Sequence, residues 1–268
     1  MFQYFKQKLH SDATEAETMK NAASPKSQKS RKNFLIYVVI ATLSVAAVFT
    51  SCGGGGGSGS GKSSGKIKMT TEQGGDFGFS LKGSGVATVD WGDGSEKVTL
   101  TLNEDREVEF KHTYPSATIR TININGDNIT GLFCKDITSL DVSRCTELTV
   151  LRCNSYYLKS LDVSKNIKLT TLSCLSYHLT SLDVSKNTML EKLACHGIQL
   201  TTLDLSKNTV LTDLYFDGNQ LTAAALNALF GTLHSNAGKK LISIDNNPGS
   251  KDCDRSIAER KGWRVEGY

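Results

Sequence analysis

Leucines recur every 21 residues through the middle of this chain. Leu140, Leu161, Leu182 and Leu203 form one series, and Leu148, Leu169, Leu190 and Leu211 a second. Leu151, Leu172, Leu193 and Leu214 form a third, and Leu158, Leu179, Leu200 and Leu221 a fourth. The hexapeptides LDVSRC, LDVSKN, LDVSKN and LDLSKN begin at 140, 161, 182 and 203. A fixed period of this length with LxxLxL spacing means stacked coils. No coil can bury its apolar edge alone, so each must lie against its neighbours. An all-helical repeat is excluded, because LxxLxC reads as a short strand and the period cannot hold two amphipathic helices.

The pattern predicts a mainly β chain built on a leucine-rich-repeat solenoid. One more coil is read upstream, at Ile129-x-x-Leu132-x-Cys134 and Ile137-x-x-Leu140, with two residues missing from its turn. That makes about five coils over residues 129–221. Strand residues alternate between faces, so Leu148, Leu151 and Cys153 point inward while Val150, Arg152 and Asn154 point outward. The same parity puts Phe133, Lys135, Thr171, Ser173, Leu175, Lys192, Ala194, His196, Asp213, Tyr215 and Asp217 outside. Tyr156, Tyr157, Tyr177 and His178 fall at the adjacent rim. Tyr and Arg are favoured binding anchors, which makes this face the place for a ligand. The candidates are Phe133, Arg152, Asn154, Tyr156, Tyr157, Leu175, Tyr177, His178, Lys192, His196, Asp213, Tyr215 and Asp217. The alternative is ordinary exposure, or turn packing for Tyr156 and Tyr177.

Two polar columns run with the repeat. Asn166, Asn187 and Asn208 occupy one place, either as inward amides that satisfy turn backbone or as exposed turn residues. Cys134, Cys153, Cys174 and Cys195 share an inward strand position that Phe216 continues. Buried structural thiols are the expectation, since no CxxC spacing supports zinc. A disulfide or a soft metal site is the alternative.

Both flanks are built differently. Residues 66–128 read as short strands broken by glycines: FGFSL, VATVDW, KVTLTL, EVEFKHTY and TIRTININ. Asp90-Trp91-Gly92-Asp93-Gly94 followed by His112-Thr113-Tyr114 resembles the WGDG…HTY pattern of PKD-like β-sandwich modules. The resemblance implies a tight glycine turn and aromatics in the core, here in a reduced sandwich. Asp90 and Asp93 are expected to bond their own backbone, as turn acids do. Residues 222–268 are expected to cap the last coil, with a helix opened by Thr222, a strand at 241–244, a short helix at 256–260 and a last strand at 263–265.

The formal net charge of +4 lies wholly in residues 1–51, which hold seven Lys or Arg against three Asp or Glu. The rest is balanced, so no nucleic-acid footprint is expected. Lys26, Lys29, Arg31 and Lys32 lead into the apolar run from Phe34 to Phe49, the pattern of an export signal. Thr50-Ser51-Cys52 resembles a bacterial lipobox, which implies lipidation of Cys52. Residues 52–65 then form a Gly/Ser tether. Gly56, Gly61, Lys62 and Ser63 meet the spacing of a phosphate loop, but a glycine-serine tract meets it cheaply and no strand leads into it.

Residues 34–268 resemble the bacterial surface lipoproteins that join a PKD-like module to LDVSKN-type leucine-rich repeats, with an internalin-like architecture. The tail IDNNPGSKDCDRSIAERKGW carries that resemblance as well. It implies an exported protein, lipid-anchored at the outer membrane or cell surface. The expected role is non-catalytic binding of a protein, or adhesion, through the repeat face; a glycan-binding or structural accessory role is the alternative. The five histidines are scattered and no acid pair accompanies them, so no enzyme, cofactor or metal is expected. A monomer is expected.

Overall fold

A computed structural model describes residues 65–267, all within the compact unit Gly57–Tyr268. The expected export segment, the lipidation site Cys52 and the tether up to its last residue lie outside the described residues. The chain is mainly β: a 12-stranded hydrogen-bonded sheet carries the fold. Two short helices follow near its end.

The repeat becomes a parallel stack. Strands β7 (Val150–Asn154), β8 (Thr171–Leu175), β9 (Lys192–His196) and β10 (Asp213–Tyr215) lie side by side in chain order. Register follows the period, with Leu151 on Leu172, Leu172 on Leu193 and Leu193 on Leu214. All four leucines are fully buried, so a slip of one residue would turn the whole apolar row to solvent. The expected cap adds two more strands to the same stack. These are β11 (Lys240–Ser243), whose Ile242 sits on Leu214, and β12 (Trp263–Glu266). Between β10 and β11 runs α1 (Ala223–Thr232), which buries Leu226, Leu229 and Phe230. The Thr222 hydroxyl caps it by accepting from the Ala225 amide at 3.3 Å. Helix α2 (Ser256–Glu259) precedes β12.

Asn166, Asn187 and Asn208 point inward and are buried. Each donates its amide to two carbonyls of the preceding coil: Asn187 to Val163 at 3.0 Å and Asn166 at 2.9 Å, Asn208 to Val184 at 3.0 Å and Asn187 at 2.9 Å. Asn166 donates to Val142 and Cys145 in the same way. Cys145 holds the corresponding place one coil earlier, and its thiol donates to the Ile129 carbonyl at 3.5 Å. The strand cysteines are buried and free, with the Cys174 and Cys195 sulfurs 3.4 Å apart, well beyond a disulfide bond.

The N-terminal strands are not a separate body by hydrogen bonding. They comprise β1 (Gly65–Thr71), β2 (Gly75–Asp90), β3 (Val98–Thr101), β4 (Val108–Tyr114), β5 (Arg120–Lys135) and β6 (Ser139–Asp141). The expected division at 128/129 falls inside β5. Its first half pairs with β1, and its second half pairs with β7 and so begins the parallel stack. The expected strands FGFSL and VATVDW are one strand, β2, with register shifts at Lys82/Gly83 and Ser84/Ala87. Gly83 makes the join possible: its φ is +151°, and a Cβ there would come within 2.0 Å of the Asn128 carbonyl oxygen. Strand β1 is absent from the sequence expectations, yet its Ile67 and Met69 are fully buried between β5 and β6. It starts at Gly65, the last residue of the expected tether.

Trp91, Phe79, Phe110 and Tyr114 fill this part of the core. The Phe79 and Phe110 rings stack at 5.4 Å, and the Tyr114 hydroxyl donates to the Trp91 carbonyl at 2.9 Å. Burial pushes the Tyr114 phenol up to about 12.

Candidate functional site

The outward residues of the stack form rows. The central row runs Phe133, Arg152, Ser173, Ala194, Tyr215 and Ser243 on successive strands. The Arg152 guanidinium lies over the Phe133 ring at 5.3 Å. Two small residues then separate that pair from Tyr215, so the row is low between Arg152 and Tyr215. A second row holds Val150, Thr171, Lys192 and Asp213, with the Lys192 ammonium 3.8 Å from the Asp213 carboxylate. The third holds Lys135, Asn154, Leu175 and His196. Parallel strands at fixed spacing hold these side chains on a rigid backing, which suits recognition.

Asp217 ends the third row and is the most constrained candidate. Its carboxylate accepts from the Ser243 hydroxyl at 2.6 Å and the Asp245 amide at 2.9 Å, and meets the His196 ring nitrogen at 3.4 Å. Burial pushes its pKa up, but the bonds from His196 and Ser243 outweigh that and hold the carboxyl below its usual range. His196 in turn faces the Tyr215 ring at 6.1 Å.

At the rim, Tyr156 stacks on Tyr177 at 5.1 Å and Tyr157 on His178 at 6.4 Å. The period brings these rings together, since each pair occupies one place in consecutive coils. The turns beneath them are held by small polar residues that the leucine pattern does not flag. Ser176 donates to the Leu158 carbonyl at 2.6 Å, and Ser155 likewise donates to the Ile137 carbonyl. In the next two coils Gly197 and Gly218 take that place, at φ of +60° and +71°. Asn219, buried directly after Gly218, donates to the Cys195 and Phe216 carbonyls.

The turn acids of the N-terminal part bond as expected. Asp90 accepts from the Gly92 amide at 3.1 Å and Asp93 from the Ser95 amide at 3.0 Å. Asp93 also meets the His112 ring at 2.7 Å, and hydrogen bonding from Ser95 leads the causes that hold its carboxyl well below the carboxylate range.

A cleft of about 710 Å³ beside the rim was not foreseen from sequence. Glu72, Gln73, Asp136, Tyr157, Lys159 and His178 line it. Only Tyr157 and His178 of these are among the sequence candidates. The missing residues in the first coil's turn were the available signal, because a shortened turn leaves space beside its neighbour. Among the described residues, no three His, Cys, Asp or Glu side chains are grouped to hold a metal ion. No described helix is long and apolar enough to cross a membrane.

No protein-family model matches the chain, and no curated protein matches it. Among solved structures, the chain is similar to the functional domain of InlJ from Listeria monocytogenes, described as including a cysteine ladder. The identity is 34% and the TM-score 0.38, over 46% of this chain and 26% of that one. This chain therefore spans about a quarter of that structure's length.

Proposed function

We propose that the chain is a leucine-rich-repeat solenoid that binds a protein ligand, without catalysis, through the outward face of its parallel strands. A PKD-like module precedes the solenoid and an α/β cap closes it. Cys52 anchors the exported protein by lipid at a bacterial outer membrane or cell surface. The observation that carries the reading is the central row: an Arg152–Phe133 pair and Tyr215 stand apart on one rigid sheet with only Ser173 and Ala194 between them. Arg and aromatic side chains around a low centre are the composition and shape of a binding hot spot. The described histidines lie at separate places, His112 on Asp93, His178 on the Tyr157 ring, His196 on Asp217 and His234 on the Leu211 carbonyl, which favours binding over catalysis.

The test has two arms. Intact cells displaying the full chain are used to capture ligand proteins, and Arg152→Ala and Tyr215→Ala are expected to weaken that capture at least about tenfold without altering thermal unfolding. Unchanged capture by both variants refutes the face. Mass spectrometry of the mature N-terminus should find an acylated Cys52; a mature chain that keeps residues 1–51 refutes the anchor.

A further inference from the structure

The cleft beside the rim exists because one turn is short. Ser155 donates to the Ile137 carbonyl as Ser176 donates to the Leu158 carbonyl, so Ile137 corresponds to Leu158. Asp136, Tyr157 and His178 therefore hold one place in three consecutive coils. Tyr157 covers His178 by stacking, but the first coil offers Tyr157 only the short side chain of Asp136. Tyr157 is 54% exposed, and its ring has no second ring partner among the described residues.

The walls around that ring are fixed. The Thr71 hydroxyl donates to the Asp136 carbonyl at 2.9 Å and accepts from the Gln73 amide at 3.1 Å, tying the two sides together. Arg120 holds the far side by donating to the Gln73 carbonyl at 3.4 Å and the Thr118 carbonyl at 3.0 Å. Gly74 packs so closely that a Cβ there would meet the Ala117 nitrogen at 2.7 Å. Asp136 itself sits at φ +55°. Within these walls the side chains of Glu72, Gln73, Asp136 and Lys159 have no hydrogen-bond or ion-pair partner among the described residues.

We propose that this cleft binds a neutral saccharide, with Tyr157 as the platform and Asp136, Glu72 and Gln73 as hydrogen-bond partners for its hydroxyls. A sugar ring presents a CH face that stacks on an aromatic ring and adjacent hydroxyls that both donate and accept. Unpaired carboxylates, an amide and an ammonium around an exposed ring supply the complement. Two carboxylates against one ammonium oppose a polyanion, which selects neutral sugars over sulfated or uronic ones. Pre-set walls spare the ordering cost that a flexible site would incur. The cleft does not depend on the strand face, whose central row does not line it.

The test is isothermal titration of the full chain with neutral gluco-, manno- and galacto-oligosaccharides, alongside heparin and oligolysine. At least one neutral oligosaccharide is expected to bind saturably, and Tyr157→Ala and Asp136→Asn are each expected to weaken it about tenfold. Glu72→Gln, on an exposed turn, serves as a further variant that should weaken binding without touching the fold. Arg152→Ala and Tyr215→Ala should leave sugar binding unchanged, so the cleft and the strand face fail separately. The proposal is overturned if no neutral oligosaccharide binds, if only heparin or oligolysine binds, or if binding ignores the Tyr157, Asp136 and Glu72 substitutions.

Discussion

Removing the Asn187 amide tests whether the inward asparagines hold the coils together. Asn187 is fully buried, and its amide bonds the Val163 carbonyl at 3.0 Å and the Asn166 carbonyl at 2.9 Å. Those carbonyls also accept from the amides of Asn166 and Leu169, so each keeps one partner when the side chain is lost. Two neutral hydrogen bonds are worth about 2 kcal/mol together. The space left by the amide adds about 1 kcal/mol. Against this, the Asn187 Oδ1 has no partner, and deleting a buried unpaired acceptor returns about 1 kcal/mol. Asn187→Ala should therefore cost about 2 kcal/mol, roughly a thirtyfold change in the folding constant. Asn187→Asp keeps the shape but replaces the donor with an acceptor that faces two carbonyls, so it should cost more than alanine. Equilibrium unfolding in guanidinium chloride reads both, with the exposed Thr188→Ala as control. An alanine variant within about 0.5 kcal/mol of the parent, or an aspartate variant milder than alanine, refutes the hydrogen-bonding role and leaves only packing.

Two further outcomes are expected. Burial leads the causes that raise the Cys195 thiol well above its usual value, and Cys153 is raised as well, first by its bond with Cys134. Iodoacetamide at neutral pH followed by peptide mapping should thus label the half-buried Cys253 before any of the four strand cysteines, with all of them reacting after denaturation; early labelling of Cys174 or Cys195 would show that the stack opens. Asp217 has a folded value below its unfolded one, so the stability it adds is complete above about pH 4 and is lost as pH falls through the lower folded value. Asp217→Asn should accordingly flatten the acid limb of the unfolding curve, and an unchanged acid limb contradicts the assignment.

Much of the stack was legible because a repeat states its geometry several times. Leu151, Leu172, Leu193 and Leu214 repeat at one interval, so a single strand assignment fixed the register and the outward rows together. The N-terminal strands offered no such redundancy. Strand β1 escaped notice because IKMTT is short, follows a glycine-serine tract and shows its apolar alternation only at Ile67 and Met69. The join within β2 was hidden because Gly83 and Gly85 read as a turn, whereas here they let one strand bulge and continue. The role of Asn187 stayed open for a different reason: an amide beside a turn bonds equally well to water or to backbone, and burial decides which.

The amino-acid sequence determined which residues face in and which face out, because a 21-residue period admits one alternation and one stacking partner per strand. It also set the composition of the strand face and the column of thiols. Only the tertiary structure decided that the 72–74 turn stands opposite Tyr157, because Thr71 bonds Asp136 of the first coil and Arg120 holds Gln73, contacts far apart in the chain. Such contacts have no period to announce them. A shortened turn reads in sequence as a defect, and in the folded chain it leaves the cleft beside Tyr157.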